Sequence, residues 1–171
     1  NIKIKTISGN LDCWIENNNC FVNMGKPLFK WTQIPLAKKV ESQIIKIDQF
    51  ELFCLSMGNP HGVIFFEDED ELNEVDIESI GKKIQSNDIF PESINVEFAT
   101  ILKDKTIRMQ VWERGAGNTK ACGTAACATA VAGKLNNLTE DTVDIEFTKG
   151  KLFIKIDKKN FKYMKGPVSK I

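Results

Sequence analysis

Ala121-Cys122-Gly123-Thr124-Ala125-Ala126-Cys127-Ala128-Thr129-Ala130-Val131-Ala132-Gly133-Lys134-Leu135 is the stretch that decides the fold. Residues 122–135 read as a helix that is small on nearly every side. A helix without a polar face is buried all round, and small side chains let strands wrap closely about it. The segment predicts one central helix held inside an antiparallel sheet or barrel, an α+β arrangement.

The sequence on both sides supplies the strands. Ile107, Met109 and Val111 alternate with Arg108, Gln110 and Trp112, and Val143, Ile145 and Phe147 alternate with Asp144, Glu146 and Thr148. Leu152, Ile154 and Ile156 continue the pattern after the tight-turn signal Lys149-Gly150. Ile2 and Ile4 alternate with Lys3 and Lys5 at the start. A period of two marks antiparallel strands with one buried face. Residues 51–57, 63–66 and 94–102 are further strand candidates. Residues 76–85 predict a second helix, with Ile77, Ile80 and Ile84 at helical spacing and Asp76 as its N-cap. Residues 88–93, with Pro91, and Gly25-Lys26-Pro27 read as connections.

Composition narrows the function classes. The 171 residues carry 23 basic and 23 acidic side chains, and a net charge of zero argues against nucleic acid or an anionic membrane as partner. No apolar run approaches the roughly 20 residues that span a bilayer. The five cysteines, Cys13, Cys20, Cys54, Cys122 and Cys127, are odd in number and form no CxxC, which disfavours a disulfide framework or zinc site and favours a reducing cytoplasm. A single histidine, His61, excludes a His-rich metal site. Arginine occurs only as Arg108 and Arg114 among the 23 basic residues, so its planar fork is a candidate for a dedicated carboxylate contact; a coding bias toward lysine is the plain alternative. The chain opens in mid-strand without methionine and stops soon after Gly166-Pro167, and is read as part of a longer protein.

Three segments are not explained by packing: Met57-Gly58-Asn59-Pro60-His61-Gly62, Trp112-Glu113-Arg114-Gly115-Ala116-Gly117 and Ala121-Cys122-Gly123-Thr124. The last opens the buried helix, where unpaired backbone N–H groups and partial positive charge bind an anion such as a carboxylate. A cysteine there is expected to have its pKa lowered toward neutrality and to act as acid or base. Taken alone, Cys122 reads first as a buried structural cysteine, the commonest fate of a free thiol, and Cys13, Cys20, Cys54 and Cys127 fit that reading well. Glu113 and Arg114 taken alone read as solvated charges on opposite strand faces; in a site they would bind an ammonium and a carboxylate. His61 and Asn59 are equally well read as turn residues.

Together, GNPH, WERGAG and ACGTAACA, with MGKP at 24–27 and MKGPV at 164–168, resemble the diaminopimelate epimerases over essentially the whole chain. ACGT after ERGAG at this spacing is the specific part of the match. The resemblance implies two pseudo-symmetric domains, each a sheet around a central helix, with the active site between them and one catalytic cysteine from each. Residues 1–171 then correspond to the C-terminal domain, with 1–8 an entry strand near the domain boundary and 164–171 the start of a segment returning toward an N-terminal domain. Cys122 is the matching catalytic cysteine. Its counterpart, expected in a Cys-Gly-Asn-Gly motif, has no match here, because neither Cys13 nor Cys20 is followed by Gly-Asn-Gly. The chain alone is therefore expected to be inactive.

By matching position, the resemblance implies that Gly123 and Thr124 offer N–H groups to the reacting carboxylate, that His61 and Glu113 lie near the reacting ammonium and tune the thiols, and that Arg114, Asn59 and Asn95 hold the distal end. It implies interconversion of LL- and meso-diaminopimelate for lysine and peptidoglycan precursors. No pyridoxal phosphate, metal or other cofactor is implied. The implied partners are the small-molecule substrate and the N-terminal domain with the second cysteine, and a homodimer remains open as an assembly. Proline or hydroxyproline racemases and phenazine-biosynthesis-type isomerases are the alternatives of the same superfold. Glu113-Arg114 argues against both, since a cyclic imino acid has no distal ammonium and carboxylate. A non-catalytic half-domain is the alternative outside enzymes.

Overall fold

The computed structural model describes residues 2–6 and 9–167. Among these described residues twelve strands form in chain order with three helices. They are β1 (Ile2–Thr6), β2 (Gly9–Glu16), β3 (Asn19–Asn23), β4 (Ile44–Ile47), β5 (Phe50–Ser56), β6 (Pro60–Phe66), α1 (Glu69–Glu74), α2 (Ile77–Gln85), β7 (Asn95–Ile101), β8 (Ile107–Glu113), β9 (Gly117–Thr119), α3 (Gly123–Leu135), β10 (Thr142–Phe147), β11 (Gly150–Ile156) and β12 (Lys162–Pro167). The sheet runs β1-β2-β3-β12-β11-β10-β8-β7-β6-β5-β4, with β9 pairing to β8 alongside.

Helix α3 lies where the small-residue stretch predicts it. Residues 125–133 are buried without interruption, and the helix packs against β5, β6, β7, β10, β11 and β12. Its C-terminus closes because Asn137 takes a left-handed conformation (φ 58°), which lets the N–H of Leu138 reach back to the carbonyl of Gly133 and that of Asn137 to the carbonyl of Lys134. A Cβ on Gly133 would meet Thr139 Oγ1 at 2.9 Å, so this helix residue has to stay small. The facing strand residues Leu55, Val63, Met109, Val111, Ile145 and Ile154 complete this core. Each such side chain, fully buried, contributes roughly 1.5–3 kcal/mol.

A second core covers the other face of β4 to β8. There Leu52, Ile64, Val96 and Phe98 meet Leu72 of α1, Ile77 and Ile84 of α2, and Ile34 and Leu36 of the long connection. The Asp76 carboxylate accepts the Ser79 N–H as the expected cap of α2. Gly81 lies against the Trp112 ring, where a Cβ would fall 2.5 Å from Trp112 Cγ.

Three expectations need correction, and one helix is an addition. The sheet is open, with β1 and β4 at its edges, and does not close into a barrel. Two of its pairings, β6 with β7 and β8 with β10, are parallel. β1 has no buried face: Ile2 and Ile4 are 55% and 47% exposed. The short acidic helix α1 has no apolar periodicity to announce it, and forms because the Asp68 carboxylate caps it at the Glu71 N–H. The entry-strand reading of 1–8 and the return-segment reading of 164–171 fall partly outside the described residues, at positions 1, 7, 8 and 168–171. Among the described residues no helix is long and apolar enough to cross a membrane.

Candidate active site

Cys122 is the N-cap of α3, in extended conformation (φ −144°, ψ 118°), and no side chain caps this helix end. The backbone N–H groups of Gly123 and Thr124 therefore keep their free donor capacity beside the thiol. Gly123 is held close to the neighbouring sheet, where a Cβ would meet Met164 Sδ at 3.1 Å. Thr124 Oγ1 lies 3.4 Å from Cys122 Sγ.

The β5–β6 turn brings the second segment to the same place. Gly58 supplies a positive φ (97°), and Pro60 begins β6 with His61 buried behind it. Asn59 Nδ2 donates to Thr124 Oγ1 at 3.3 Å, and its Oδ1 lies 3.0 Å from His61 Nε2. His61 Nδ1 is 2.6 Å from Oε1 of Glu97, and both side chains are fully buried. The parallel register, which sets His61 opposite Asn95, brings Glu97 on the same strand within reach of the ring. Burial raises the Glu97 carboxyl to about 7, against the opposing pull of His61, and the Glu113 charge adds to the rise.

Glu113 ends β8 and accepts a hydrogen bond from the Thr119 hydroxyl across the β8–β9 turn. Its carboxylate faces Cys122. Contrary to the expectation from helix position alone, the Cys122 thiol is pushed above its ordinary value: burial is the largest cause, and Glu113 adds to it. The Thr124 hydroxyl and the Ala125 N–H pull the other way. Cys127, one turn into the helix, is buried and pushed up to about 12, so the two thiols of α3 differ in both access and acidity.

The remaining expected residues form a separate group. Asn95 is buried, with Nδ2 donating to the Pro60 carbonyl at 2.9 Å and Oδ1 accepting from the Arg114 N–H at 2.8 Å. It thus locks β6 to the turn after β8. The exposed Arg114 guanidinium donates to the Glu92 carbonyl at 3.0 Å. Asn59, His61, Thr124 and Cys122 are joined in one chain of side-chain contacts; Asn95 is the strand neighbour of His61, but its side chain bonds to the Pro60 carbonyl and the Arg114 N–H rather than to that chain. Asn59 and Thr124 also line an open cleft of about 530 Å³, whose opposite wall carries Thr6, Asn10 and Asp12 of β1 and β2. Glu97 and Thr119 were not expected from sequence. The signal for Glu97 was its carboxylate amid the apolar run of β7.

A family model described as diaminopimelate epimerase matches residues 53–171. The chain belongs to the diaminopimelate epimerase family. The matched span contains every site residue expected from the sequence, and the family is one of isomerases. A relative named diaminopimelate epimerase from Pelagibacter ubique is 46% identical over 99% of this chain and 64% of its own length. Another of that name, from Desulforapulum autotrophicum, is 40% identical over 88% of this chain and 54% of its own. The chain thus spans a little over half to just under two thirds of these diaminopimelate epimerases. A hydroxyproline epimerase from Agrobacterium vitis has a similar structure, with TM-score 0.63 at 10% identity, covering 97% of this chain and 56% of that one. So does a phenazine-biosynthesis protein from Enterococcus faecalis, with TM-score 0.61 at 14% identity, covering 97% and 60%. At such identity these two share the fold with this chain and nothing further.

Proposed function

We propose that this chain carries one half of a cofactor-independent epimerase centre that inverts the α-carbon of diaminopimelate between the LL and meso forms. The observation behind this reading is Cys122 at the uncapped head of α3, with Thr124 and Asn59 beside it on an open cleft. In the reaction, the Cys122 thiolate takes the α-proton from one face of the substrate, and a second thiol, from the part of the protein beyond this chain, gives a proton to the other. The electron pair left on the α-carbon spreads onto the substrate carboxylate. Free N–H groups at Gly123 and Thr124 bind that carboxylate and stabilise its growing charge. In this reading Glu113 pairs with the ammonium. Its negative charge works against the thiolate until that cation arrives, so substrate binding itself favours formation of the base.

Arg114, Asn59 and Asn95 would hold the distal end, Asn95 chiefly by fixing the turn that presents Arg114. A site built to pair those groups discriminates strongly against analogues lacking them. We place the protein in the cytoplasm, where its cysteines stay reduced.

The test uses the protein at the full length of its relatives. Cys122→Ala should abolish LL-to-meso conversion, a loss of more than about 10³-fold, with circular dichroism unchanged. Near-normal turnover would sink the two-thiol reading. The 171-residue chain alone should be folded and inactive, and should regain activity when mixed with the missing part.

A further inference from the structure

We propose that Glu97 is a positioning residue for Cys122: with His61 it sets the direction of the hydrogen-bond chain through Asn59 and Thr124, so that the last hydrogen of the chain points at the Cys122 sulfur. The proposal rests on the reading of Cys122 as the acid–base group, and gives that thiol a control device remote from substrate.

The direction follows from the donors and acceptors. The Asn59 Oδ1 that faces His61 can only accept, so His61 Nε2 must carry a hydrogen. That leaves Nδ1 to share a proton with Glu97 Oε1 at 2.6 Å. Whether this proton sits on the ring or on the carboxyl, Nε2 remains a donor. Asn59, its oxygen occupied, turns its Nδ2 hydrogens to Thr124 Oγ1. The threonine hydroxyl then has an acceptor role filled and its one hydrogen free for Cys122 Sγ. His61 cannot serve as a base for the thiol in this arrangement, because the nitrogen facing the site is already protonated. Its part is to orient.

Burial makes the arrangement stiff. Both members of the pair are fully enclosed, and Glu97 Oε2 has no hydrogen-bond partner. A buried carboxylate oxygen without a partner is costly, which favours the neutral form with the proton on Glu97. Facing the pair from neighbouring elements are Cys54 of β5 and Glu113 of β8; facing Cys122 are Glu113 and Cys127. None of these is a cation, so the donor hydrogen from Thr124 and the helix N–H groups are what offset burial at the thiol.

Without Glu97 the chain can reverse. An imidazole freed at Nδ1 can present a bare Nε2, Asn59 can rotate to put its NH2 toward the ring, and its oxygen then takes the Thr124 hydroxyl hydrogen. The thiolate loses its donor with no residue in the cleft altered.

The experiment measures the pH dependence of alkylation of Cys122 by iodoacetamide in the 171-residue chain, read by mass spectrometry on the Cys122 peptide. Glu97→Leu should raise the midpoint by about one unit. Glu97→Gln should move it much less, because its amide N–H can donate to Nδ1 and keep Nε2 protonated. Thr124→Val should match Glu97→Leu, and the double variant should shift no further than either, since both break one chain. An unshifted midpoint in a folded Glu97→Leu chain, or additive shifts in the double variant, overturns the proposal. If Glu97→Leu does not fold, the ring nitrogens of the unaltered chain decide, and the single histidine makes their 15N signals unambiguous. Nε2 protonated across the alkylation range supports the chain, and Nε2 unprotonated overturns it. These readouts need no turnover, so they separate failure here from failure of the epimerase reading, which shows in the Cys122→Ala assay.

Discussion

The two walls of the cleft are held by different means. Asn59 and Thr124 belong to a part of the molecule, β5 to β8 with α3, that is covered on both faces: α3 packs on one side, and α1, α2 and the 30s connection on the other. Thr6, Asn10 and Asp12 belong to the β1–β3 meander, where Cys13 is the buried apolar side chain and Ile2, Ile4 and Ile15 are largely exposed. Between the two lie β10 to β12, with α3 beneath them and Phe153, Lys155, Tyr163 and Lys165 on an open outer face. The hydrogen-bond chain to Cys122 lies wholly in the doubly covered part. Proton chemistry needs reacting groups fixed to a fraction of an ångström, and only packing on both sides of a strand supplies that here.

The largest effect that would test this contrast is on stability. Leu55 is fully buried between β5 and α3, so Leu55→Ala should cost about 2–5 kcal/mol in urea unfolding. Ile15→Ala, in the meander, should cost less than about 0.5 kcal/mol, since the side chain is 61% exposed already. Comparable losses would mean that the meander carries a core of its own.

The same contrast explains what was legible in the sequence. Strands with one face on α3 announced themselves, because a half-buried strand must alternate: Ile107, Met109 and Val111 or Val143, Ile145 and Phe147 leave no other reading. Helix α3 was legible because close packing left room only for small residues. The meander was read as half-buried from Ile2 and Ile4, and is not; alternation states what a strand could bury, not whether anything is there to cover it. Its second hairpin was missed although Asn17-Asn18 carries the signal, both residues being left-handed (φ 48° and 59°) in the turn between β2 and β3. At the candidate site, motif matching singled out Cys122, His61, Glu113 and Asn59 one by one. It did not find Glu97, because nothing local says which buried partner a parallel strand will bring to a histidine 36 residues away.

The two arginines sharpen the comparison at an intermediate scale. Scarcity of arginine suggested a special role for each, and the structure gives them different ones. The Arg108 fork is taken by Glu146 through Nε and NH2 and by Glu69 through NH1, so it ties α1 and β10 to β8. Arg114 is exposed on the turn beyond β8 with much of its guanidinium free. Arg114→Lys should weaken substrate binding about tenfold in the full-length enzyme with stability unchanged, because a lysine cannot grip a carboxylate with two donors. Arg108→Lys should leave binding alone and lower stability by about 1 kcal/mol or less, as expected for a half-exposed ion-pair network. A binding loss of equal size in both would show that neither fork is dedicated to substrate.

The smallest effect concerns local opening of the meander. Among the described residues β1 is an edge strand paired only to β2, with Lys3 and Lys5 along it, and charges of this kind deter pairing with a second chain at the open edge. Its amides are held by one ladder without a core behind it, so they should open without global unfolding. β7 and β8 lie in mid-sheet between two cores and should open only when the whole chain does. Hydrogen–deuterium exchange followed by mass spectrometry should therefore show the β1–β2 peptides labelling well before the β7–β8 peptides at neutral pH. Binding of the substrate or of the remaining part of the protein should slow labelling in β1–β2 far more than in β7–β8, since only the first has protection to gain. Uniform slow exchange across both regions would break the contrast between the walls, and would mean that the meander wall of the cleft is as firmly placed as the wall that holds Cys122.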